Sequence, residues 1–301
     1  MAKVVCVHGI RQQLKGPYQL RQQWTPALRD GLRATGEEGR RAADGMADAD
    51  VQYAFYGDAF RAPGQHLGVG DAIVTPEDLT TYEREMLALW FAEAQRTDPS
   101  LVGQADETLT RTPTTVQGML RLLSGLRYFE SRAPDRLMLG DLVQVRRFFT
   151  EEEVRGTAVR SVVECIDEDT RVVIGHSLGS VVAYEALCQL GSGGPVSVFV
   201  TLGSPLGIRG LIFDRLRPPP EPDGNGGPIG RWPGGVSSWV NVADEGDVVA
   251  LEKNLSVRFG SRVESWLVKH GVKAHDIEPY LSSRECGEGI LRGLVGGTRS
   301  S

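Results

Sequence analysis

Cysteine is scarce in this chain. Only Cys6, Cys165, Cys188 and Cys286 occur in 301 residues, with no close pair and no metal-site spacing. Buried free thiols are expected for the first three. No run of 18 apolar residues exists, which excludes a membrane-spanning helix by sequence. No apolar signal region precedes the first strand. Clustered cations are also missing: arginine far outnumbers lysine, yet no block of five or six basic residues occurs. With a formal net charge of −6 and a pI near 5.5, a nucleic-acid or anionic-membrane partner is not expected. There is no internal repeat and no metal-ligating cluster. A cytoplasmic enzyme fits these absences.

What is present is a core-forming composition. Hydrophobic residues make up 41% of the chain, enough for a sizeable core. The most informative stretch is Arg171-Val-Val-Ile-Gly-His-Ser-Leu-Gly-Ser180. Val172–Ile174 reads as a buried strand, Gly175-His-Ser-Leu-Gly179 matches G-x-S-x-G, and Val181–Leu190 reads as a helix. That context makes the pattern informative, because the turn throws Ser177 into a strained, exposed position over a helix N-terminus. Free N–H groups and a partial positive charge there favour a developing oxyanion. Without that context, the same five residues would be an ordinary strand–helix turn bearing a surface serine.

In chain order, Lys3–Val7 reads as a buried strand ending in His8-Gly9-Ile10. Pro17–Thr35 reads as a helix with Leu20, Trp24, Leu28 and Leu32 four residues apart. Residues 34–50 are polar and read as a loop. Val51–Tyr56 is a second strand. Residues from about 60 to 150 break the strand–helix alternation with three helices, near 76–97, 114–127 and 134–149. They read as an inserted helical lid, or as a plain helical layer on the sheet. On the first helix Leu79, Tyr82, Met86, Leu89 and Trp90 form an apolar stripe, with Glu83, Glu85 and Glu93 largely elsewhere. Met86 and Trp90 are candidate walls of an apolar acyl pocket. A helix over 151–166 follows, then the strand and helix around Ser177. Strands are expected at 196–202, 239–243 and 263–268, with a Pro/Gly-rich surface loop over 216–236 and a helix near 280–295.

A serine hydroxyl needs a base in hydrogen-bond reach, and the base needs an orienting carboxylate. Asp247 follows one strand and His275 follows the next. Asp247 is preferred because it lies just past the strand end, before Val248-Val249; Asp244 is the alternative, and either could instead cap a helix. His275 lies on a loop that could lean over Ser177, and His270 is its rival. His176 is expected to pack inside the elbow, His8 to shape its loop, and His66 has no context.

The order serine, acid, histidine resembles that of the α/β-hydrolase family, in its lipase/esterase branch. Besides the elbow, the likeness is carried by Val7-His8-Gly9-Ile10, Thr201-Leu-Gly-Ser-Pro205, Asn241-Val-Ala-Asp-Glu-Gly-Asp247-Val-Val, and His275 followed by Tyr280. It covers nearly all of the chain outside the insert and the 216–236 loop. Two features depart from the family pattern. The first two strands of a full hydrolase sheet are not seen before the Lys3–Val7 strand, and the helical insert precedes the elbow. The resemblance implies one α/β domain over 1–301, a mostly parallel α/β-hydrolase sheet flanked by helices, with a helical lid. It implies Ser177 as nucleophile, His275 as base, Asp247 as orienting acid, and the N–H groups of Ile10 and Leu178 as oxyanion hole. The implied activity is hydrolysis of a carboxylic ester with an apolar acyl group, without a cofactor. Thioester hydrolysis, acyl transfer and, further off, peptide cleavage share the acyl-enzyme. A catalytically silent binding protein on the same fold is the non-enzyme alternative.

Overall fold

The computed structural model describes residues 2–296, apart from 11, 13–14, 61–74, 98–115, 117–118, 120–133, 225–226 and 272–273. In chain order the strands are β1 (Val4–Val7), β2 (Val51–Ala54), β3 (Val172–His176), β4 (Val198–Leu202), β5 (Glu221–Pro222), β6 (Pro228–Ile229), β7 (Ser238–Asp244) and β8 (Val263–Val268). The main helices are α1 (Pro17–Ala34), α2 (Glu37–Gly45), α3 (Thr81–Thr97), α4 (Pro134–Thr150), α5 (Glu152–Cys165), α6 (Leu178–Leu190), α7 (Ser256–Phe259), α8 (Ile277–Ser282) and α9 (Arg284–Gly296).

Six strands form one parallel sheet in the order β2-β1-β3-β4-β7-β8. Continuous β-branched runs suit strands covered on both faces. Side chains alternate across the sheet. Val4, Cys6, Val172, Ile174, Val198 and Val200 face one layer, made with Leu20, Trp24, Leu28 and Leu32 of α1 and Cys286 and Ile290 of α9. The four α1 residues spaced by four are all buried, and each contributes about 1.5–3 kcal/mol by leaving water. Val5, Val7, Val173, Phe199 and Trp239 face the other layer, made with residues of α3, α4, α5 and α6.

The sheet order positions the site. From β1 the chain goes outward to β2, and from β3 it goes the other way to β4. A crevice therefore opens at the C-terminal ends of β1 and β3, where ligands bind in open parallel sheets. The loop His8–Ile10 and the turn at Ser177 are those two ends.

Several sequence expectations need correction. Residues 34–50 are not a loop: α2 occupies most of them, opened by Glu37 and Glu38 and held by buried Ala43. The 216–236 stretch carries the short β5–β6 ribbon and buries Leu216 and Val236. The C-terminal helix is two helices, broken at Ser283. All four cysteines are free, but it is Cys6 and Cys286 that are buried, while Cys165 and Cys188 are half-buried.

In the insert, α3 and α4 pack into the same cluster as α5 and α6. The stripe on α3 is rotated from the expected one. Leu89 is exposed, whereas Glu83 is buried, accepts hydrogen bonds from Thr80 N–H and Oγ1, and pairs with Arg146 of α4 at 2.7 Å. Residues 98–115 and most of the helix expected at 114–127 lie outside the described residues, as does His66. Among the described residues no helix is long and apolar enough to cross a membrane.

Candidate active site

Ser177 begins the site. It has φ 52° and ψ −131°, and is the one non-glycine residue with positive φ among the described residues. Such a conformation costs on the order of 1–3 kcal/mol and persists only where the surroundings impose it. Here they do. Its N–H donates to Leu202 O at 3.0 Å, and its carbonyl accepts from Ser180 Oγ at 2.6 Å. The hydroxyls of Ser180 and Ser204 are 2.7 Å apart, which ties the elbow to the turn after β4. A Cβ on Gly175 would stand 2.5 Å from Ser180 Cα, and one on Gly179 2.3 Å from His8 O, so the two glycines of the motif are sterically required. Across the crevice, a Cβ on Gly9 would stand 2.7 Å from Ser177 Cβ. The His8–Ile10 loop thus lies directly against the serine.

His275 Nε2 lies 3.1 Å from Ser177 Oγ, and its Nδ1 lies 2.8 Å from Asp247 Oδ2. An ionised carboxylate only accepts, so Nδ1 carries the proton and Nε2 can accept the serine proton. Asp247 is fully buried. Its Oδ1 accepts Val249 N–H at 2.8 Å and Ala250 N–H at 3.3 Å, and its Oδ2 also accepts Tyr280 O–H at 2.8 Å. Burial alone would raise its pKa, but the charge and hydrogen bond of His275, with Lys253 and Val249 N–H, bring it down to about 2. Gly203, at φ 53°, passes so close that a Cβ would be 2.7 Å from Asp247 Oδ2. Lys253 Nζ donates to the Asp247 carbonyl and lies 3.6 Å from Glu93 of α3, which links the insert to the acid loop.

The other histidines have different surroundings. His176 Nε2 lies 3.0 Å from His275 O, and burial, reinforced by His275, pushes its imidazole down to about 3. Held neutral, Nε2–H donates to that carbonyl and fixes the loop carrying His275. His8 Nδ1–H donates to Gly9 O at 2.7 Å while Nε2 accepts Tyr56 N–H at 3.1 Å, and burial brings it down to about 4. His270 stands beside Asp244 and not beside Ser177.

A cleft of about 190 Å³ opens at Ser177 and His275. Its lining includes the apolar Ile10, Trp90, Val248, Val249 and Ile277 and the polar Gln12, Lys15, Asp141, Asp276 and Glu278. Trp90 therefore reaches the site, as its position on α3 suggests. Met86 does not: it is 1% exposed inside the hydrophobic cluster and is not in the cleft wall. One helical turn separates the two on the same side of α3, and both belong to the hydrophobic cluster; only Trp90 also meets the cleft. Ile10 lines the cleft, and Leu178 is the first residue of α6, whose N–H has no intrahelical partner by position.

Lys253 has no role in the sequence reading, and Tyr280, Ser180 and Ser204 enter it only as members of the quoted stretches, with no contact assigned to them. Those contacts join distant segments and give no signal until the fold brings them together. Among the described residues no group of three or more His, Cys, Asp or Glu side chains could hold a metal ion.

Comparison with known proteins finds no matching family model, no similar curated protein and no similar solved structure. What the chain displays is a parallel α/β sheet flanked by helices, with a serine, a histidine and an aspartate in hydrogen-bonded series at its C-terminal edge.

Proposed function

We propose that this protein is a serine hydrolase of the α/β-hydrolase type that cleaves carboxylic esters. The observation that carries the proposal is the continuous series Ser177 Oγ–His275 Nε2 (3.1 Å) and His275 Nδ1–Asp247 Oδ2 (2.8 Å), built on a strained turn at the switch point of the sheet. Ser177 Oγ attacks the acyl carbon as its proton passes to His275 Nε2. Asp247 holds the imidazole in the required tautomer and stabilises the imidazolium. The N–H groups of Ile10 and Leu178 face the oxyanion, aided by the N-terminus of the 13-residue α6. The tetrahedral species collapses with proton transfer from His275 to the departing alcohol, leaving an ester on Ser177. Water, deprotonated by His275, then attacks that ester and releases the acid.

A fluorophosphonate probe tests the proposal, since it reacts with activated serines. Wild-type protein is expected to label stoichiometrically and to hydrolyse a short 4-nitrophenyl ester. Ser177→Ala should do neither, with an unchanged circular-dichroism spectrum. Absence of labelling in folded wild type would leave a hydrolase-shaped binding protein as the reading.

A further inference from the structure

Asp247 is held at both ends of its own backbone. Its N–H donates to Asp244 O at 3.1 Å, and its carbonyl accepts from Lys253 Nζ. The lysine that does this is not a surface residue. Its side chain is 16% exposed, against 78% for Lys269, which pairs with Glu245. Exposed pairs contribute little, whereas a largely buried ammonium has to be paired where it sits. Burial lowers the Lys253 pKa, and the charges of Asp247 and Glu93 act against that.

Lys253 also joins three elements. Its backbone carbonyl accepts Asn241 Nδ2–H at 2.9 Å, from β7 in the sheet. Its ammonium meets the Asp247 carbonyl on the acid loop and stands 3.6 Å from Glu93 Oε1 on α3, an oxygen that also accepts Arg96 Nη2–H at 2.7 Å. Glu93 lies three residues past Trp90, a spacing that makes them neighbours on the helix surface. Trp90 lines the cleft together with Val248 and Val249 of the acid loop. The Lys253–Glu93 pair therefore connects two segments that share in the cleft wall. Lys253 itself does not line the cleft, so its influence on the reaction passes through Asp247 and α3.

We infer that Lys253 is a positioning residue for the Ser177 reaction: it fixes the backbone from which Asp247 orients His275, and through Glu93 it ties that loop to the α3 wall. This rests on the serine-hydrolase reading. Small displacements of a catalytic group are costly, about 10²-fold in rate for about 1 Å.

Steady-state kinetics of the full chain on 4-nitrophenyl acetate and octanoate test the inference. Rates are expressed per fluorophosphonate-labelled serine, so that misfolded protein is not counted. Lys253→Met keeps the length of the side chain and removes its donors and charge. Its kcat on the acetate is expected to fall about thirtyfold with KM within about threefold of wild type, the split expected when orientation and not binding is lost. Glu93→Gln leaves the Lys253–Asp247 contact in place and weakens only the tie to α3. It should shift the octanoate-to-acetate ratio of kcat/KM by about fivefold, with a smaller loss of acetate kcat than in Lys253→Met. An unmoved kcat in a folded Lys253→Met, a loss confined to KM, or an unmoved ester ratio in Glu93→Gln overturns the inference. Should Lys253→Met not fold, the ester ratio of Glu93→Gln decides. Labelling separates the two levels: labelled wild type with an unmoved kcat in Lys253→Met sinks only the positioning role, whereas unlabelled wild type sinks the serine mechanism.

Discussion

Two aspartates stand three residues apart at the end of β7, each beside a histidine. Asp247 accepts four hydrogen bonds, from Val249 N–H, Ala250 N–H, Tyr280 O–H and His275 Nδ1–H, and His275 continues to Ser177. Asp244 accepts the N–H groups of Gly246 and His270, so its carboxylate braces the turn between β7 and β8. The His270 ring makes no hydrogen bond to it: Nδ1 stays 3.4 Å from Asp244 Oδ2, buried and without a hydrogen-bond partner. Tyr280 touches both halves, accepting Asp244 N–H and donating to Asp247. Nearness of an acid to an imidazole therefore does not make a catalytic pair. Which imidazole nitrogen is held, and what the other reaches, decides it.

The sharpest way to break this comparison is to neutralise each acid in turn. Asp247→Asn should lower kcat by about 10³–10⁴-fold, because an amide can hold His275 in the wrong tautomer. Asp244→Asn should leave kcat within about threefold. Its cost should be in stability, about 1–3 kcal/mol by denaturant titration, since two backbone N–H groups lose a charged acceptor. The reverse ranking of rates would move the acid role to Asp244.

Acid should unfold the protein through its buried histidines before it reaches Asp247. The folded-state pKa values of His8 and His176, about 4 and about 3, lie below the ordinary 6.5. Above pH 6.5 neither state binds their protons, so nothing is lost. Below it the unfolded chain takes them up first, and stability falls with pH until each folded pKa is reached. At pH 5 the loss is on the order of 2 kcal/mol per histidine. Asp247, depressed from 3.8 to about 2, contributes stability that is complete above about pH 4 and is lost as pH falls through 2. Melting temperature should therefore start to drop near pH 6.5. A flat profile down to pH 4 would mean that the two imidazoles are hydrated or paired in solution.

Tyr280→Phe removes the hydroxyl that bridges the two halves, with both of its hydrogen bonds. Activity should fall about tenfold. The loss should fall on kcat and not on KM, because the Tyr280 O–H helps to hold the carboxylate that orients His275. A change in melting temperature alone, with kcat unmoved, would make Tyr280 a packing residue.

Much of this was legible in the sequence because it depends on local pattern. G-x-S-x-G between a β-branched run and a helix marks Ser177, and the strand ends mark where Asp247 and His275 fall. The parallel sheet follows from the buried runs. Other features depend on contacts between distant segments. The orientation of α3 turns on Glu83 meeting Arg146, 63 residues away, so the expected stripe misplaced Leu89, while Met86 and Trp90 are buried as the stripe has them. The helix over Glu37–Gly45 was hidden because its sequence is polar and glycine-bearing, and its stability comes from packing on α1. Tyr280 marks the histidine loop in sequence, but its bond to Asp247, 33 residues away, does not show there.

The smallest effect is expected at His270. In sequence it rivals His275 as the base, since it lies nearer the end of β8. In the fold its ring packs edge-on to Tyr280 at 5.1 Å between centroids, with Nδ1 buried and unpaired. Its useful contact is its backbone N–H, which any residue but proline would supply to Asp244. His270→Phe keeps the ring contact and removes an unsatisfied polar atom, a replacement that is nearly neutral or stabilising in a buried site. Activity within about twofold of wild type and an unchanged or slightly raised melting temperature are expected, against complete loss of fluorophosphonate labelling in His275→Ala. If His270→Phe lost labelling while remaining folded, the base would be His270, and the Asp247–His275 pair would have to be a structural contact.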